Sequence, residues 1–239
     1  MFYMTDVVNN RAQFRAAVGN VYSTFWRLGL RLRFHLWQKR KLKQPVLEWV
    51  AGKPFVILPQ VFNPNLFLTS AFMVQALNET LVPPECRFLD MGTGSGVGAV
   101  FAAAFTPYVT AIDINPAAAR AARINALLNQ VEERVRVLEG DLFAPAAGEQ
   151  FEVILFNPPY YRGQPQSQLD RAFRAEDVIE RFAAALPQHL TPNGHLLLLL
   201  STTSDEEHFL TLFRQQGYSV TPTAHHPLPG ERITLYKVG

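Results

Sequence analysis

The chain has 239 residues, 48% of them hydrophobic, a formal net charge of +2 and a single cysteine. That length and apolar content fit one large domain with a sizeable core and exclude a disordered chain. The lone Cys86 excludes an intrachain disulfide and points to a reducing compartment, where it reads as a small half-buried side chain rather than a nucleophile. Met1 to Asn10 lacks the basic-then-apolar order of a secretory signal. No run reaches the roughly 18 apolar residues that span a bilayer, so a soluble, cytoplasmic protein is expected.

Charge is unevenly spread. Residues 1–60 hold Arg11, Arg15, Arg27, Arg31, Arg33, Lys39, Arg40, Lys41, Lys43 and Lys53 against Asp6 and Glu48, leaving the remainder acidic on balance. A basic N-terminal appendage over residues 1–55 is therefore expected ahead of a main domain over 56–239, with a polyanion or an acidic partner as its contact. Val7 to Lys43 reads mainly as helix, although Leu30-Arg31-Leu32-Arg33-Phe34-His35-Leu36 alternates as a strand does. Trp26, Phe34 and Trp37 interleave these charges, a pattern shared by RNA-stacking and membrane-surface segments. Pro45, Pro54 and Pro59 mark residues 44–60 as a linker.

Thr69 or Ser70 then caps a helix running to about Leu81, which Pro83-Pro84 ends. From Arg87 onward strands and helices alternate. Strands are predicted at Arg87–Asp90, Tyr108–Ile114, Val135–Leu138, Phe151–Phe156 and His195–Ser201. Helices are predicted at Val97–Phe105, Pro116–Asn129, Glu176–Leu190 and Asp205–Gln216. Tyr218–Thr223 and Ile233–Val238 close the chain as a hairpin around Pro227-Leu228-Pro229-Gly230. Such alternation specifies an α/β fold, Rossmann-like: a mixed seven-stranded sheet with helices on both faces and an antiparallel C-terminal hairpin.

Asp90-Met91-Gly92-Thr93-Gly94-Ser95-Gly96-Val97-Gly98 joins the first of these strands to a helix. Glycines there permit a sharp turn and close approach to a ligand. The spacing alone leaves a nicotinamide dinucleotide open, since Gly94 and Ala99 give a permissible match. Asp90, however, sits badly beside a pyrophosphate and well beside a cation. Asp113 ends the next strand about 20 residues on, where a carboxylate accepts from ribose hydroxyls. Asp141 ends the third and can accept from an adenine amino group. Each acid alone also suits a helix cap or a turn. Together they describe a nucleoside that lacks phosphate and carries positive charge, and S-adenosylmethionine fits.

Asn157-Pro158-Pro159-Tyr160 follows the apolar strand Phe151–Phe156. Two prolines stop the ladder and carry Asn157 out at the carboxyl end, where ligands bind in open α/β sheets. The Asn157 side chain and the Pro158 carbonyl can each accept from a planar amino group, holding a delocalised nitrogen toward a methyl donor. Tyr160 offers a flat ring for a planar substrate. The histidines, His225-His226 included, lack metal-ligand spacing, so no metal site is expected. Glu176-Asp177 reads as first-turn helix acids, and Arg162, Arg171 and Arg174 as charges of a mobile loop that either contact substrate or are solvated.

These segments, with Ala111-Ile112-Asp113-Ile114-Asn115-Pro116 and Gly140-Asp141-Leu142-Phe143, resemble the HemK-like, small-domain branch of class I methyltransferases over about residues 55–239. The resemblance implies that Asp90, Gly92, Thr93, Gly94, Gly96, Asp113, Ile114, Asp141, Leu142 and Asn157 bind S-adenosyl-L-methionine. It further implies that Asn157, Pro158 and Tyr160 act on the acceptor, a glutamine amide in a protein such as a translation release factor. The same tetrapeptide serves N6-adenine enzymes, and close variants serve N2-guanine enzymes, so RNA or DNA is the alternative acceptor. A catalytically silent adaptor that binds the nucleoside is the third reading.

Overall fold

The computed structural model describes residues 44–65 and 69–239. The basic stretch between Val7 and Lys43, with Trp26, Phe34 and Trp37, lies outside them. The described chain opens on β1 (Val46–Val50) and β2 (Lys53–Ile57), paired antiparallel with Val46 opposite Ile57 and Val50 opposite Lys53. Ala51 and Gly52, at φ 45° and 84°, make the doubly left-handed connection whose twist suits a tight hairpin. Residues 44–60, expected as a linker, thus hold a hairpin, and a boundary at 55/56 cuts through β2. Pro54 is tolerated because a two-stranded ribbon consists only of edge strands.

Helix α1 (Thr69–Ala76) is shorter than expected. The Asn78 side chain accepts from the N–H groups of Thr80 and Leu81 at 3.0 and 3.1 Å, forming a turn that competes with further helix. There follow β3 (Arg87–Met91), α2 (Val97–Ala102), β4 (Tyr108–Asp113), α3 (Pro116–Leu128) and β5 (Val135–Glu139). Next come β6 (Phe151–Phe156), two short strands β7 (Tyr161–Arg162) and β8 (Arg174–Ala175), and α4 (Val178–His189). The chain ends with β9 (Leu190–Ser201), α5 (Glu206–Gln215), β10 (Val220–Leu228) and β11 (Glu231–Val238). β9 starts earlier than predicted: pairing with β6 begins at Leu190 opposite Phe151 and resumes at His195 opposite Val153, so the Pro192-Asn193-Gly194 turn is absorbed as a bulge.

The main sheet has seven strands in the order β10-β11-β9-β6-β3-β4-β5. β3 pairs parallel with both β4 and β6, and β11 runs antiparallel between β9 and β10. Chain order reverses between β3 and β6, and the crevice above that point is where open α/β sheets take ligands. Strand period splits one apolar run between two cores. Phe88, Val153, Leu155, Leu197 and Leu199 face the side packed by α1, α2, α3 and the hairpin. Leu89, Ile154, Phe156, Leu196 and Leu198 face α4 and α5. Burial on both faces is why these strands read as continuous hydrophobic runs.

The hairpin is fastened to α3 by amides. Asn125, fully buried, accepts from Val56 N–H at 2.7 Å and donates to the Val56 carbonyl at 2.9 Å and the Ser95 carbonyl at 2.8 Å. Asn129 donates to the Pro54 carbonyl at 2.9 Å. Cys86 is buried and burial pushes its thiol up to about 11, which leaves it unreactive. Among the described residues no helix is long and apolar enough to cross a membrane.

Candidate active site

The turn from β3 to α2 is built around Asp90. Its Oδ2 accepts from the Thr93 hydroxyl at 2.5 Å and from the Ala99 N–H at 2.8 Å, tying the loop to the helix it leads into. A Cβ at Gly98 would lie 2.6 Å from Asp90 Oδ1, so only glycine lets the helix seat on the carboxylate. Burial raises the Asp90 carboxyl to about 6, against the two hydrogen bonds that pull it down. Gly96, at φ 84°, lies against α3, where a Cβ would come within 2.9 Å of Ala122 Cα. Asp90 therefore shapes the turn from within, in addition to lining the space beside it.

Asp113 closes β4 and is held by backbone on both oxygens: Oδ2 accepts from Gly94 N–H and Oδ1 from Asn115 N–H, each at 2.8 Å. Burial raises its carboxyl and the two N–H groups oppose the shift. A carboxylate has about four acceptor sites, so each oxygen keeps capacity for a further donor. Asn115 caps α3 by accepting from Ala117 N–H at 3.0 Å and donates from Nδ2 to the Gln60 carbonyl at 2.9 Å. That second bond draws the segment carrying Phe62 and Pro64 over the site.

Asp141 lies in the turn after β5. Gly140 N–H donates to the Asp113 carbonyl at 3.0 Å, and Leu142 takes the left-handed φ of 46°. Sequence reasoning missed its partner. Arg181 of α4 places Nη1 2.6 Å from Asp141 Oδ2 and Nε 3.1 Å from Asp177 Oδ1.

Beyond β6, Asn157 Oδ1 is sealed from solvent and has no hydrogen-bond partner among the described residues. Pro158 is buried behind it. The hydroxyl of Tyr160 is likewise sealed and without a partner, and burial, with the Glu231 charge nearby, pushes the phenol above the ordinary tyrosine range. The chain then doubles back: β7 and β8 pair parallel, Tyr161 opposite Arg174 and Arg162 opposite Ala175. Arg174 Nη1 reinforces this ladder by donating to the Arg162 carbonyl at 2.9 Å. The returning loop brings Phe173 to Phe62, ring centroids 5.4 Å apart and tilted by 58°. Two of the three loop arginines are engaged as well, Arg162 with Glu180 of α4 and Arg174 3.8 Å from Asp170, while Arg171 lines a cavity. Asp177 precedes α4 without capping it and instead holds Arg181, whereas Glu176 accepts from Gln164 at 2.7 Å.

A cavity of about 360 Å³ joins these parts. Of the expected residues, Asp90, Gly92, Thr93, Gly94, Asp113, Ile114, Asp141, Leu142 and Asn157 line it together. Gly96, Pro158 and Tyr160 do not, whereas Phe62 and Pro159 are part of the lining. Two acids at successive strand ends, a glycine-lined floor and an orphaned amide oxygen suit a cationic nucleoside beside a substrate with N–H groups to give. The residues present therefore fit S-adenosylmethionine. Among the described residues no group of three or more His, Cys, Asp or Glu side chains could hold a metal.

The family described as methyltransferase small domain matches residues 54–223. A ribosomal protein uL3 glutamine methyltransferase of Bradyrhizobium diazoefficiens is 37% identical over 170 residues, 62% of this chain and 53% of the relative. A release factor glutamine methyltransferase of Salmonella typhimurium is 33% identical over 217 residues, 83% of this chain and 77% of the relative. The match thus spans about half of the first relative's length and three quarters of the second's. Among solved structures, the 16S rRNA N2 G1207 methyltransferase of T. Thermophilus, in complex with AdoMet and guanosine, aligns with a TM-score of 0.58 at 20% identity, over 82% of this chain and 50% of that one. The E. cuniculi Mtq2-Trm112 complex aligns at 0.54 and 20% identity, over 75% and 98%. Both structural likenesses concern the fold.

Proposed function

The chain belongs to the methyltransferase small domain family, the HemK-like class I methyltransferases that use S-adenosylmethionine, and from that premise we propose that it methylates the side-chain amide nitrogen of a glutamine in a protein of the translation apparatus. One observation carries the choice of chemistry: Asn157 Oδ1 is a buried acceptor without a donor in the cavity wall. An orphaned buried acceptor costs about 1–3 kcal/mol. A primary amide that enters the cavity relieves that cost by donating one N–H once the Asn157 side chain turns its sealed oxygen toward it.

The cofactor, when bound, supplies a methyl group on a cationic sulfur. Asp113 is assigned to the ribose hydroxyls, Asp141 to the adenine amino group, and the Gly92–Gly96 turn to the methionine part. Asn157 holds the amide nitrogen so that its lone pair faces the donor, and its bond to the N–H strengthens as positive charge develops there. Orientation supplies much of the remaining acceleration. Once methylated, the nitrogen releases its proton to solvent water. Phe62 and the β8 residues Arg174 and Ala175 line the cavity beside this step.

The acceptor reading is supported by relatives named as glutamine methyltransferases of a release factor and of uL3. A second reading, an amino group of a ribosomal RNA base, is favoured by a ribosomal RNA small subunit methyltransferase C of Alcanivorax borkumensis that is 32% identical over 64% of this chain and 44% of its own. The basic residues before position 44 suit a ribosomal surface under either reading. Incubation with methyl-labelled cofactor, a release factor, uL3 and ribosomal RNA decides between them. Label on a glutamine side chain, located by mass spectrometry, is the expected result; label released by nuclease overturns the protein reading. Asn157→Ala should abolish transfer while S-adenosylhomocysteine still binds.

A further inference from the structure

Arg181 stands at the nucleoside end of the cavity with Gly140, Asp141, Leu142 and Asp177. The Asp141 backbone is already fixed, because Gly140 N–H donates to Asp113 and Ala144 N–H donates to the Asp141 carbonyl at 3.0 Å. What remains free is the side-chain torsion, and Arg181 settles it. Its planar guanidinium meets Asp177 through Nε and Asp141 through Nη1, so two carboxylates on different edges set the orientation of one rigid fork. Asp141 Oδ2 is taken by that contact, and Oδ1 accepts from no described residue.

We propose that Arg181 is the positioning residue for base specificity: it presents Asp141 Oδ1 as an acceptor-only group to an amino-bearing purine. The inference rests on the S-adenosyl cofactor reading. A carboxylate paired with a guanidinium accepts and does not donate. An adenine amino group supplies the matching donor, whereas the carbonyl of hypoxanthine would set one acceptor against another. The alternative role, ion pairing that merely stabilises the start of α4, is weak on physical grounds. Arg181 and Asp141 are 45% and 44% exposed, and pairs of that exposure contribute little to folding.

The test measures calorimetric affinity for S-adenosylhomocysteine and its inosine counterpart, S-inosylhomocysteine, on the full chain and on Arg181→Met, Arg181→Lys and Asp141→Asn. The wild type should prefer the adenine ligand by at least about tenfold, and Arg181→Met should compress that preference to about threefold or less. Its thermal midpoint should stay unchanged. Arg181→Lys should keep the charge without restoring the preference, because a point charge cannot hold two carboxylates as a fork does. Adding Arg181→Met to Asp141→Asn should change nothing further. An unchanged preference in Arg181→Met, or an equal loss of affinity for both ligands, overturns the assignment while leaving the cofactor reading intact. Failure of the wild type to bind S-adenosylhomocysteine overturns that reading instead, and the inference with it.

Discussion

The carboxamide of Asn125 closes both backbone groups of Val56, accepting at 2.7 Å and donating at 2.9 Å as a neighbouring strand would. A side chain of α3 thereby stands in for a third strand on the β1–β2 ribbon, and its bond to the Ser95 carbonyl ties that ribbon to the glycine turn. Asn125→Ala strands these groups in a buried setting, and the expected destabilisation is about 3 kcal/mol. Thermal unfolding should fall by about 6–12 °C for a chain of this size. A shift under a few degrees would mean that water or repacking replaces the amide.

Gly98→Ala should separate fold from cofactor binding. The added methyl meets the Asp90 carboxylate, which is held by Thr93 and Ala99 and has no room to retreat. The helix must lift from the turn, and affinity for S-adenosylhomocysteine should fall more than about tenfold. Circular dichroism should remain native. Titration calorimetry reads the first effect, and unchanged affinity would disprove the close seating.

Stability should carry the signature of Asp90. Burial moves its carboxyl from 3.8 to about 6, so between those values the folded protein holds a proton that the unfolded chain has released. The contribution of the protonated form is complete below about pH 4 and lost as pH rises through about 6, an effect of about 3 kcal/mol. Asp113, also raised by burial, adds in the same direction. Asp90→Asn removes the first contribution. Urea unfolding at several pH values should show the wild type losing stability relative to the variant between pH 4 and 7, and a constant difference would refute the assignment.

Phe173 bears on the acceptor side. Its ring lies against Phe62, and such pairs contribute about 0.5–1.5 kcal/mol beyond their buried area. Phe173→Ala should raise the acceptor KM by about three- to tenfold, with S-adenosylhomocysteine affinity changed less than about twofold. Steady-state kinetics alongside calorimetry checks both. An equal loss on both sides would make the pair a support of the whole cavity.

Much of this is legible in the amino-acid sequence itself. Phe151–Phe156 and Leu196–Leu200 announce themselves as strands buried on both faces, and the glycines before Val97 announce the turn between strand and helix. Asp90, Asp113 and Asp141 are readable because strand ends bring them to one rim. Other features were hidden for identifiable reasons. Pro45, Pro54 and Pro59 masked the hairpin, since proline usually punctuates and is harmless only on an edge. Asn125 looks like any polar residue in a helix. Arg181 gains its meaning only when α4 crosses the turn after β5, a contact between positions 40 residues apart that no local pattern encodes. Tyr160 is absent from the cavity lining, with its hydroxyl sealed from solvent, an outcome that the tetrapeptide's sequence does not encode.

The parallel pairing of β7 with β8 clamps both ends of the loop between Arg162 and Arg174. What lies between the clamps can change in length and chemistry while Asn157 on one side and α4 on the other keep their places. The loop is thus held at its two ends while its middle, through Gln164, Gln168 and Arg171, forms part of the cavity wall, so a change of sequence there alters that wall without moving the strands that carry Asp90 and Asp113.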